Sequence, residues 1–178
     1  MKSLHLYVIN GMVYLGRMLK VSLVIEEPIA SLLKRKARER GLQVEEYLLT
    51  ILGNEMNPKE RVEVYVKLHE KFLREAEGYY RKEDLAQAGE KYWGAVTALL
   101  NAIGEKEGLP HYTHRDLVEI IEYLADKLKE PEIAGDFAHA ERLHANYYHN
   151  FIRKITFEHH REHVIRLMKK LREYLKTS

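Results

Sequence analysis

The feature that most constrains this chain is a series of apolar residues recurring at three- and four-residue intervals through residues 58–176, broken only at capping and helix-ending residues. Val62, Tyr65, Val66, His69, Phe72, Leu73, Ala76 and Tyr79 share one helical face, opened by Asn57 as N-cap and Pro58 in the first turn. From about Glu83, a second stripe runs Leu85, Ala88, Tyr92, Val96, Leu99 and Ile103, with Gly89, Gly94, Ala95 and Ala98 small enough to admit a close neighbour. Gly104 and Gly108-Leu109-Pro110 end it. Thr113 with Asp116 approximates a capping box before Leu117, Ile120, Ile121, Leu124 and Leu128, and Pro131 marks the next break. A fourth helix is expected from about Glu132 to Ile155, and a fifth from Thr156 with Val164, Leu167, Met168, Leu171, Tyr174 and Leu175 inside. Five helices on short links predict a mainly α fold, an antiparallel helical bundle over residues 57–178.

Upstream the pattern changes. Leu19, Val21, Leu23 and Ile25 alternate with Lys20, Ser22 and Val24, the period of a β-strand, so a strand is expected over 19–26. A lone strand leaves its ladder open, and its natural partner is the same strand of a second chain, which predicts a dimer. Pro28 then opens a helix with Ile29, Leu32, Leu33 and Ala37, stopped by Gly41; Val44, Tyr47, Leu48, Ile51 and Leu52 form the stripe of another. Residues 19–54 thus read as a short strand-helix-helix head. Residues 1–18 read as an N-terminal extension, with 1–17 an upstream piece ahead of Met18.

The chain has no cysteine, which excludes disulfides, thiolate metal sites and a cysteine nucleophile and predicts a reducing, cytoplasmic setting. The opening apolar stretch is broken by His5, Asn10 and Gly11, too short for a membrane span and without a cleavage site, so no export signal is expected. A formal charge of +2 does not by itself indicate nucleic acid, but two basic clusters stand out, Lys34 to Arg40 and Arg153 to Lys176.

The segments VSLVIEE, PIASLLKRKARERG and VEEYLLTIL resemble a ribbon-helix-helix unit, in which two strands pair across a dimer. That resemblance implies DNA-facing roles for Lys20 and Ser22, while Gln43 stands where a Ser or Thr cap is usual. The segments AGEKYWGAVTALLNAIG, THRDLVEIIEYL and FAHAERLHANYYHNF are similar to the archaeal PaREP paralogous family, helical proteins that resemble the wider HEPN superfamily. HEPN ribonucleases use an Arg, four to six intervening residues and a His. Arg142 and His149 match with six between, and Leu143 occupies a position that is often polar.

Seven residues are almost two helical turns, so Arg142 and His149 are expected on one face, with His139, Asn146 and Arg153 in the same stripe. The resemblance implies an RNA-associated protein, a metal-independent endoribonuclease of a defence or toxin system. His149 is then the base, Arg142 the phosphate clamp, and Asn146, Arg153 and His139 backbone contacts. The residues leave open a different class: a non-catalytic dimeric regulatory module whose head binds DNA or a partner protein. Ten histidines raise metal binding, since His159 and His163 lie four apart beside His160, Glu158 and Glu162. With no HExxH and no third ligand fixed by spacing, the reading is a solvated histidine surface, no metal and no cofactor. Trp93, Tyr79, Tyr92 and Tyr148 are expected in the core rather than as base-stacking platforms.

Overall fold

A computed structural model describes residues 7–9, 12–14 and 25–177. Two short strands, β1 (Tyr7–Ile9) and β2 (Met12–Tyr14), pair antiparallel with Tyr7 opposite Tyr14 and Ile9 opposite Met12. They lie in the segment read as an extension. The strand expected over 19–26 falls largely outside the described residues, and its last two positions, Ile25 and Glu26, carry no regular structure.

Seven α-helices follow among the described residues: α1 (Ile29–Glu39), α2 (Val44–Leu52), α3 (Pro58–Arg81), α4 (Leu85–Glu107), α5 (His114–Leu128), α6 (Glu132–His149) and α7 (Lys154–Thr177). The chain is mainly helical, and α3–α7 form a bundle in which α4 packs against α3, α5, α6 and α7. None of the described helices is long and apolar enough to cross a membrane.

Sequence chemistry sets the boundaries. Asn57 Oδ1 accepts the Glu60 N–H at 3.0 Å while the Glu60 carboxylate accepts the Asn57 N–H at 2.9 Å, closing a capping box on α3. Thr113 and Asp116 do the same for α5. Gly108, at φ 69°, supplies the left-handed residue that ends α4. The stretch Ala88–Gly104 of α4 is buried almost throughout, which is why its small residues matter: α6 and α3 must come close on both sides.

The fourth bundle helix ends at His149, not at Ile155. Asn146 is buried, and its Oδ1 accepts the amides of Phe151 and Ile152 at 2.9 and 2.8 Å, while Asn150 adopts the left-handed conformation at φ 46°. A side-chain acceptor that takes two link amides turns the chain without Gly or Pro. The last helix consequently starts at Lys154, and Thr156 lies within it, its hydroxyl donating to the Arg153 carbonyl at 3.0 Å.

The head also departs from its apolar pattern. Ile29 and Leu32 of α1 and Ile51 and Leu52 of α2 are exposed, whereas Glu46 is buried against α4. Its carboxylate accepts from the Thr97 hydroxyl at 2.9 Å and the Gln43 N–H at 2.9 Å, and Asn101 Nδ2 lies 3.5 Å away. Gln43 reaches Glu90, its Nε2 donating at 2.7 Å. Thus α2 docks on α4 through polar contacts. Burial pushes the Glu46 carboxyl up from 4.5 to about 7. A folded-state value above the unfolded one means the stabilising contribution is complete below about pH 4.5 and disappears as pH rises through about 7. The difference amounts to roughly 3 kcal/mol. Glu46→Gln is therefore expected to flatten the pH dependence of thermal unfolding between pH 5 and 8 relative to the parent. Parallel curves for the two proteins would contradict the buried acid.

Candidate functional site

The α6–α7 helical hairpin carries the polar residues singled out above. On α6, Arg142 is exposed and its guanidinium lies over the Phe151 ring, 4.2 Å from the centroid. His149, at the end of α6, is also exposed, its ring centroid 6.1 Å from that of Phe151. The link that Asn146 turns back thus sets Phe151 against both side chains. A planar guanidinium over an aromatic face is held in orientation while its N–H groups stay free in the plane. Leu143, beside Arg142, points into the core and is fully buried. Tyr148, Phe151 and Ile155 are exposed around this elbow, Ile155 to 77%. Tyr148 therefore departs from its expected core place, whereas Tyr92 and Trp93 are buried as expected.

Other members of the predicted stripe are distributed differently. Asn146 is buried, its oxygen taken by the link amides and its Nδ2, the donor a phosphate would need, enclosed within the chain; this corrects its expected role as a backbone contact. Arg153 lies beyond the end of α6, exposed, and is separated from the stripe by the turn. His139 lies one turn before Arg142 and faces α7 instead of the Phe151 crevice. Lys20 and Ser22 lie outside the described residues.

His139 belongs to a second constellation that the sequence did not reveal. Its ring stacks on His163 at 3.9 Å with 7° between planes, and His159 approaches edge-on, 5.3 Å from His139 and 4.7 Å from His163. His139 Nδ1 lies 2.7 Å from His160 Nδ1, and His163 Nδ1 lies 2.8 Å from Oδ1 of the buried Asp136. Asp136 is held in turn by Arg166, Nε to Oδ2 at 2.8 Å and Nη2 to Oδ1 at 2.5 Å. Burial and then the neighbouring imidazoles lower the His139 and His160 pKa values, with Arg142 adding to the effect at His160. The signal was present in the numbering: His139 and His160 lie about equally far from the α6–α7 turn, as cross-hairpin neighbours must, but only once the turn is placed at Asn150.

The C-terminal basic cluster is half neutralised within the chain. Lys154 pairs with Glu83, Arg161 with Glu77, Arg166 with Asp136 and Lys170 with Glu130. Half of its eight cations are thus committed, and of the others Lys169, Arg172 and Lys176 stand three and four residues apart, exposed along one face of α7. Arg142 and Arg153 have no ion-pair partner among the described residues.

A model of the family described as the archaeal PaREP1/PaREP8 family matches residues 64–168, more than half of the chain. The chain belongs to the archaeal PaREP1/PaREP8 family. The PaREP1/PaREP8 match runs from early α3 into α7 and therefore includes Arg142, His149 and the histidine cluster, while α1 and α2 lie outside it. No curated protein and no solved structure matches the chain.

Proposed function

We propose that this PaREP1/PaREP8 member is a HEPN-like, RNA-associated protein that cleaves RNA without a metal, with Arg142 and His149 as its reacting pair. The observation that supports this reading is that both side chains are exposed and flank one Phe151 ring. His149 takes the proton from a ribose 2′-hydroxyl, the oxygen attacks the adjacent phosphorus, and the 5′-oxygen leaves as a hydroxyl with a proton from water, giving a 2′,3′-cyclic phosphate while His149 returns its proton to solvent. Arg142, oriented by Phe151, stabilises the charge developing on the phosphoryl oxygens. Arg153 offers a further backbone contact, and the exposed Tyr148 a base-stacking face.

Seven residues separate the pair by about 10 Å along the helix axis, so one chain supplies an open half-site. The exposed apolar elbow of Tyr148, Phe151 and Ile155 gives a second copy a surface on which to bring the other half opposite. Purified full-length protein treated with a chelator is expected to cleave single-stranded RNA, and Arg142→Ala and His149→Ala are each expected to slow it by about 100-fold or more with helical content unchanged. Cleavage that requires an added metal, or that survives both substitutions, would overturn the assignment.

A specific observation also favours the regulatory reading. The head exposes Ile29, Leu32, Ile51 and Leu52 beside Lys34, Arg35, Arg38 and Arg40, an apolar and cationic surface suited to a partner protein or a DNA backbone. The ribbon-helix-helix arrangement of this head is part of that proposal. RNA binding without cleavage would move the function to this second reading.

A further inference from the structure

We infer that His139, His159 and His163 form a site for one divalent transition-metal ion, with zinc as its natural occupant. The site spans two helices: His139 comes from α6, and His159 and His163 stand one turn apart on α7. One nitrogen from each ring lies within 4.8 Å of the other two. A tetrahedral zinc with Zn–N bonds of about 2.0–2.1 Å holds its nitrogens roughly 3.4 Å apart, and to close the set the stacked His139 and His163 rings must splay so that their in-plane lone pairs converge.

The outer nitrogens are arranged as ligand histidines require. His163 Nδ1 faces the Asp136 carboxylate and His139 Nδ1 faces His160, which leaves Nε2 of both rings for the ion. Arg166 Nη2 also lies 2.7 Å from His163 Nδ1, but it already donates to Asp136. The Asp136–Arg166 pair therefore fixes the carboxylate that orients the ring, and a proton donated from Nδ1 to that carboxylate keeps Nε2 bare. Asp136 is almost fully buried, so this support is rigid.

Donor chemistry selects the ion. Imidazole nitrogens suit zinc, nickel, copper and cobalt, whereas calcium and magnesium need oxygen ligands that this cluster does not present. Three protein ligands leave a fourth position, and the exposure of His159 puts it within reach of solvent. The ion would staple α6 to α7 across the hairpin that carries Arg142 and His149. It takes no part in the proton transfer assigned above, which the ion-free hairpin carries out unaided, so chelator-treated protein tests the cleavage and metal titration tests this site.

The test is a Co²⁺ titration of full-length, chelator-stripped protein, followed by Zn²⁺ competition and thermal unfolding. One Co²⁺ per chain should appear with the visible absorption of a tetrahedral site, zinc should displace it, and the unfolding midpoint should rise with zinc concentration. Removing an outer-sphere partner of a metal ligand typically weakens affinity by about 10–100-fold, so His139→Ala, His159→Ala and His163→Ala should each weaken it by roughly 100-fold or more. His159 is exposed and makes no hydrogen bond among the described residues, so its substitution tests binding without disturbing the fold. His114→Ala, a histidine outside the cluster, should leave the affinity unchanged. Wild-type affinity weaker than about 100 μM, or affinity unaltered in the His139→Ala/His163→Ala double variant, would overturn the site.

Discussion

Gly89→Ala is expected to lower the unfolding midpoint by roughly 6–12 °C, the effect of about 3 kcal/mol in a chain of this size. A Cβ built at Gly89 lies 2.4 Å from the carbonyl oxygen of Leu143, so α4 and α6 meet backbone to backbone at this point. The obstructing atom is not the tip of a flexible side chain, and relief requires α6 to move. The helix-propensity gain of Ala over Gly, about 1 kcal/mol, offsets only part of the cost. Gly78 and Gly135 also lie in helices, but nothing lies within 4 Å of a Cβ there. Gly78→Ala and Gly135→Ala are expected to stabilise the chain by about 0.4–1 kcal/mol. Calorimetry on the three variants checks the contrast, and a Gly89→Ala midpoint at or above the parent's would contradict the close α4–α6 contact.

His149→Ala is expected to slow RNA cleavage by about 10²–10⁴-fold, the usual contribution of a positioned base. Arg142→Ala should cost roughly 10²–10³-fold, as loss of a phosphoryl-charge stabiliser does. Both side chains are exposed, so neither substitution should change stability by more than about 0.5 kcal/mol. Arg142→Lys separates charge from orientation: a lysine keeps the positive charge but not the planar stack on Phe151. It should restore only part of the rate, and Phe151→Ala should resemble it. Full activity in Arg142→Lys would show that the stack positions nothing.

The sequence made the bundle legible where local chemistry decided the outcome. The N-cap at Asn57, the capping box at Thr113 and the stripe of α4 were readable because each depends on residues a few positions apart. The turn after α6 was not, because Tyr147-Tyr148-His149-Asn150-Phe151 contains neither Gly nor Pro and the chain is turned by a buried Asn146. That single misplacement hid the third imidazole, since His139 meets His159 and His163 only in the register the turn imposes. Similarly, Glu46 stands outside the apolar stripe read for the second head helix, yet Thr97, Asn101 and the Gln43 amide give it a place inside. The Arg142–His149 spacing was visible, but the sequence could not show that Phe151 folds back against both.

The most direct test of the central claim uses a defined single-stranded RNA cleaved by chelator-treated protein, compared with the same RNA carrying one 2′-O-methyl group at the mapped cleavage position. Attack by the neighbouring 2′-oxygen predicts that cleavage disappears at that phosphodiester alone and that unmodified products end in 2′,3′-cyclic phosphate. Undiminished cleavage at the methylated position, or products with 5′-phosphate and 3′-hydroxyl ends, would contradict the mechanism assigned to Arg142 and His149.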